Sequence, residues 1–150
     1  MHVVIATDGS HASLEAARQL KSFAGPEKID DVTVVAVVSP LAAVPFINEL
    51  RPPDQAVQDP TSLSFREEAE VATRVVGGEF EEWGASVHRQ VRSGSAAAEI
   101  VRAAEELSAD LIVVASGSAG LTQTVLLGST AQRVQHSAPC PVLVWRPKAQ

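Results

Sequence analysis

Residues 110–137 read DLIVVASGSAGLTQTVLLGSTAQRVQHS, and the fold turns on how they are read. The run Leu111-Ile112-Val113-Val114-Ala115 is apolar without alternation. Such a run suits a strand buried on both faces, as in a parallel sheet. Small residues follow, Ser116-Gly117-Ser118-Ala119-Gly120, then an apolar turn at Val125-Leu126-Leu127, then Gly128-Ser129-Thr130 and a helix-like stretch to Gln135. A small-residue loop between a buried strand and a helix lets a ligand approach the backbone closely. Unpaired N–H groups at the helix start favour negative charge there. This passage is the candidate phosphate-binding element.

Working outward, residues 2–7 (HVVIAT) and 32–38 (VTVVAVV) read as two more buried strands, and 142–145 as the last. Residues 86–91 are more polar and suit a strand at or near an edge. After Asp8-Gly9, Ser10 is a helix N-cap candidate, and Leu14, Ala17 and Leu20 follow at helical spacing. Ser64 with Glu67 matches a capping box, so a helix is expected over 65–83 with Phe65, Ala69, Ala72, Val76 and Phe80 inward and a weak point at Gly77-Gly78. Another helix is expected over 96–107. Residues 41–60 hold four prolines and read as a loop with a short helical turn at 44–50. Strands alternating with helices predict an α/β fold: one domain over 1–150, a doubly wound, five-stranded parallel sheet with helices on both faces in three layers. Ligands of such sheets sit beyond the carboxyl ends of the strands, where Asp8, Ser39 and Ala115 leave them.

Composition narrows the function. The 150 residues carry a formal charge of −6 and a pI near 5.1, which argues against nucleic acid. No apolar run approaches the roughly 18 residues of a membrane span. The start, MHVVIATDGS, has no secretion-signal pattern, and the single cysteine, Cys140, suits a reducing compartment. A cytoplasmic protein is expected, with Cys140 as a small half-buried apolar residue. The histidines His2, His11, His88 and His136 have no metal-ligand spacing, so no metal is assigned. No nucleophile–base pair is evident, so no catalytic residue is assigned. Glu67, Glu68 and Glu70 read as a solvated helix face. The P-loop pattern is absent, because Ala131 follows Gly128-Ser129-Thr130 and residues 115–135 hold no lysine. Phosphate would then rest on backbone N–H groups, the hydroxyls of Ser129 and Thr130 and a helix start. Such a cradle binds phosphate but does little to stabilise its transfer.

Three separated segments, ATDGS at 6–10, LLGST at 126–130 and APCPVLVWRP at 138–147, resemble the universal stress protein family in order and spacing. The resemblance implies an adenine nucleotide, ATP or AMP, with Mg²⁺ only alongside ATP and little or no hydrolysis. It places Ala6, Thr7, Asp8 and Val37 at the adenine side and Ala115, Gly117, Ser118, Gly120, Gly128, Ser129 and Thr130 around the phosphates. The family's nucleotide binders carry G-x-x-G, nine residues, then G-Ser or G-Thr. Counting back from Gly128 puts Ser118 and Ala115 where those two glycines stand. Gly117 and Gly120 do form G-x-x-G, two residues out of frame. For Asp8 the alternative role is a turn residue that caps the first helix. The resemblance also implies a homodimer through Val142, Leu143, Val144 and Trp145. The other reading is a dimeric stress protein that has lost nucleotide and acts through protein contacts.

Overall fold

The computed structural model describes residues 1–40, 46–52, 64–116 and 129–146. Five strands form one parallel sheet: β1 (His2–Thr7), β2 (Asp31–Val38), β3 (Ser86–Ser93), β4 (Leu111–Ala115) and β5 (Val142–Trp145). Their order across the sheet is β3-β2-β1-β4-β5. The helices are α1 (His11–Phe23), α2 (Phe65–Gly78), α3 (Ala96–Glu106) and α4 (Ser129–Ser137).

The apolar runs are unbroken because both faces of the sheet are covered. Alternate residues feed two cores. Val3 and Ile5 of β1, Val32 and Val34 of β2 and Val113 of β4 pack with Leu14, Ala17 and Leu20 of α1 and with Val76 of α2. Val4, Ala6, Val35, Ile112 and Val114 point the other way, onto Ile100, Ala103 and Ala104 of α3 and onto Ala131 and Val134 of α4. The central strands are fully buried: Val3, Val4, Ile5, Ile112 and Val113 are each 0% exposed.

Three local expectations fail. Helix α2 stops at Gly78 instead of continuing to residue 83; turns follow, and Glu82 takes a left-handed φ of 63°. Phe80 is buried as expected, but from the turn beyond the helix, where its ring meets Trp83 edge-on at 5.4 Å. Gly77 is there for proximity: a Cβ would lie 3.2 Å from Val87 Cγ1, so glycine lets α2 sit close to β3. Phe65, at the first turn of α2, is exposed rather than inward. Nor is there a helical turn over 46–50. That segment instead packs Phe46 against Ala36, Ala69 and Ala72. The capping reading of Ser64 holds, its hydroxyl accepting from the Glu67 N–H at 3.1 Å.

Candidate functional site

Successive strands run β1, β2, β3 to one side of β1, and β4, β5 to the other. The winding reverses between β1 and β4, and it is beyond the carboxyl ends at such a switch point that sheets of this kind take ligands. Register pairs Val3, Val4 and Ile5 with Leu111, Ile112 and Val113, so the two strands deliver Asp8 and Ser116 to the same end of the sheet.

The turn from β1 into α1 is tightly knit. Thr7 is buried, and its Oγ1 lies 2.7 Å from Ser13 Oγ and accepts from the Gly9 N–H at 3.1 Å. Its hydroxyl therefore holds the turn. Ser10 caps α1, its Oγ accepting from the Ser13 N–H at 3.2 Å. Asp8 is exposed; its Oδ1 accepts from the Ser10 N–H at 3.0 Å and from the Ser10 hydroxyl. Among the described residues its Oδ2 has no partner. One Asp8 oxygen thus braces the cap residue, which leaves the other for a second role.

Gly9 has φ +82°, and a Cβ there would sit 2.6 Å from the Ile47 carbonyl oxygen. The segment 46–50 lies directly on this turn. The Glu49 N–H donates to the Gly9 carbonyl at 2.8 Å, and the Glu49 carboxylate accepts from the His11 N–H at 2.9 Å. Glu49 supplies an anion to the α1 start, which the first turn itself lacks. Sequence reading missed Glu49 and Ser13; a lone glutamate in a proline-rich loop and a serine inside a helix carry no pattern that marks them.

Of the other residues singled out from sequence, Ala6 is buried in the second core and Val37 is half-buried beside it on β2. Ala115, half-buried, ends β4 in register with Trp145. Its φ is not positive, so alanine in place of glycine carries no left-handed strain at this position. Ser116 donates its N–H to the Trp145 carbonyl at 2.8 Å. Ser129 and Thr130 are half-buried at the start of α4, which Ala131 and Val134 anchor to the core. Gly117, Ser118, Gly120 and Gly128 lie outside the described residues. At the sheet edge, Leu143 and Trp145 pack toward the α1 core and Val142 and Val144 toward the α3–α4 core, and all four remain half-buried.

Cys140 is half-buried, and burial, followed by the nearby Asp110 charge, pushes its thiol up from the ordinary value. A thiol held protonated is a poor nucleophile. Among the described residues no three His, Cys, Asp or Glu side chains gather as metal ligands, and no helix is long and apolar enough to cross a membrane.

A parallel sheet wound in both directions from β1, with helices on both faces, defines the class, an α/β protein. The chain belongs to the universal stress protein family, whose sequence profile matches residues 1–146. It is 40% identical over 147 residues to universal stress protein MJ0531 of Methanocaldococcus jannaschii, an overlap of 95% of this chain and 79% of that one. The solved structure of the protein MJ0577 is similar with a TM-score of 0.75 at 24% identity, covering 99% of this chain and 97% of the other. A universal stress protein family protein from Arabidopsis thaliana, solved with AMP bound, is similar with a TM-score of 0.71 at 16% identity, over 99% and 93% of the two chains. At such identities the structural likeness is one of fold.

Proposed function

We propose that this chain binds an adenine nucleotide, ATP or AMP, beyond the carboxyl ends of β1 and β4, with little or no hydrolysis. The observation that carries the reading is that β1 and β4 bring the exposed Asp8 and the end of β4 to the same end of the sheet, at its switch point. The AMP in the Arabidopsis thaliana relative supports it. Asp8 Oδ2 accepts from a ribose hydroxyl or the adenine amino group. Val37 lies against the base. The loop at 117–128 and the hydroxyls of Ser129 and Thr130 receive the phosphates, and Mg²⁺ enters only with ATP. The chain acts as a regulatory module in the cytoplasm, not as an enzyme, and pairs with a second copy through β5.

The test is direct. Protein purified without added nucleotide is denatured, and the released absorbance near 260 nm is recorded. The expected result is bound nucleotide, or failing that a rise in melting temperature on adding ATP or AMP, because a ligand that binds only the folded state stabilises it by mass action. Asp8→Asn, which keeps an acceptor for Ser10 but loses the charge, should weaken that binding about tenfold, in keeping with a lost charge-assisted hydrogen bond. With neither released nucleotide nor a melting shift, the second reading stands, a dimer working through protein contacts. The replacement of a family glycine at Ser118 is the observation that favours it.

A further inference from the structure

Among the described residues, strand β3 pairs with another strand along only one of its edges. All eight residues from Ser86 to Ser93 are in register with Asp31 to Val38 of β2, and among the described residues no strand lies on the other side. A free edge offers unused N–H and C=O groups to an incoming strand. This one is longer than the usual five or six residues of a strand.

Alternation sends its side chains to two places. His88, Gln90 and Arg92 share one face, where Arg92 is taken up by Glu99 at 3.0 Å and Glu106 at 3.0 Å. Val87, Arg89 and Val91 face α2. With Arg66, Glu70 and Arg74 of that helix they line an open groove of about 520 Å³. Its one carboxylate among the described residues, Glu70, lies 3.8 Å from Arg66, which also donates to the Val91 carbonyl at 3.5 Å. Arg74 and Arg89 are exposed and have no ion-pair or hydrogen-bond partner among the described residues. The groove is thus a basic strip on a chain of net charge −6.

We propose that the free edge of β3 takes an extended acidic segment of another protein. Its backbone continues the sheet, and carboxylates on alternate residues reach Arg89 and Arg74. Strand spacing supports a peptide: residues two apart lie about 7 Å from each other on one face, so the acidic face of an alternating segment can meet Arg89 and Arg74 while its apolar residues turn to the other face. Charge argues against a second copy as the occupant. The strand reads SVHRQVRS, with arginines and no acid, and like charges facing across paired strands are destabilising. The groove lies two strands from β1 and does not depend on nucleotide.

The experiment uses the full chain and a fluorescein-labelled, end-capped peptide of about nine residues alternating glutamate with valine, long enough to span β3. Fluorescence anisotropy should show saturable binding that weakens as salt rises from about 0.05 to 0.5 M. Arg74→Gln with Arg89→Gln should lower affinity about tenfold, as expected for two lost charge-assisted contacts. Both side chains are exposed, so the circular dichroism spectrum and melting temperature should hold; Arg89→Gln alone is the second variant. A peptide of identical sequence with alternate backbone amides N-methylated should lose most of the binding. No binding, equal binding by the double variant, or equal binding of the methylated peptide would each overturn the proposal. So would displacement by tripolyphosphate as effectively as by unlabelled peptide, since that marks a plain anion site.

Discussion

The two edges of this sheet are built on opposite rules. Strand β3 has eight residues, three of them His88, Arg89 and Arg92, and its charged side chains reach to helices on both faces. Strand β5 has four residues, VLVW, with no charge among them and all half-buried. A long edge is kept from indiscriminate pairing by charge. A short apolar edge is tolerable because it offers few backbone groups, and it is satisfied once covered. The same parallel core thus carries one charged edge and one apolar edge. The strands between them need neither device.

The sharpest way to break this contrast is to strip the brace from β3. Glu99 is buried, with its side chain 10% exposed; it bonds Arg92 at 3.0 Å and also holds Arg102. On Arg92 the hydrogen bond to Glu106 raises the pKa, burial works against it, and the bond to Glu99 raises it further. Glu99→Ala leaves Arg92, itself 16% exposed, with the more exposed Glu106 as its carboxylate partner and the neutral Gln90 side chain accepting at 3.1 Å. A buried pair broken outright costs about 3–5 kcal/mol. Because Glu106 remains, a loss of about 2 kcal/mol is expected from urea unfolding. A variant within about 0.5 kcal/mol of the parent, the range of an ordinary surface change, would show that the β3 edge stands without its brace.

The β5 edge should respond in mass rather than in folding. Val144 packs toward the α3–α4 core yet stays half-buried in the single chain. Val144→Lys keeps an alkyl stem to lie along that surface, so the folding cost should be about 1 kcal/mol. The charge falls on the edge through which we expect two copies to pair, and an isologous contact carries it twice. Sedimentation at micromolar concentration should report a dimer for the parent and a monomer for the variant. A parent with the mass of one 15.8 kDa subunit removes the proposed role of β5.

These contrasts were unequally visible in the sequence. The buried strands announce themselves, since a run such as Val32 to Val38 has no polar face to offer water. The more polar SVHRQV at 86–91 stood out as edge-like for the same reason, and the strand runs two residues further. The caps at Ser10 and Ser64 follow from hydroxyls placed just ahead of helical periodicity. What escaped depends on distances that periodicity does not encode. Phe80 keeps the helical spacing of Val76 although the helix has ended, because a turn can return a side chain to the same core. Gly77 looks like a flaw in a helix until Val87 is found 3.2 Å from where its Cβ would be. At the site, Asp8, Ser39 and Ala115 were predicted to leave strands at the same end, but the bracing by Glu49 crosses from a proline-rich loop 38 residues away. No local pattern reports such a partner.

The finest test separates the exposed half of the Arg92 brace from its buried half through pH. The hydrogen bond from Arg92, and with it the charges of Arg92 and Arg102, holds the Glu106 carboxyl below its ordinary value, with burial acting the other way. A carboxyl lowered in the folded state binds its proton more readily when unfolded. Its stabilising contribution is therefore complete above the unfolded value of 4.5 and is lost as pH falls through the lower folded value. Glu106→Gln removes this titration while keeping an acceptor for the guanidinium. Glu106 is solvent-exposed, so the effect is small and screened by salt. The expected outcome is that the parent loses more melting temperature than the variant on going from neutral pH to below pH 4.5, and that raised salt narrows the difference. Parallel acid profiles at low salt would mean that Glu99 is the one carboxylate that holds Arg92, and that the exposed Glu106 adds nothing to the charged face of β3.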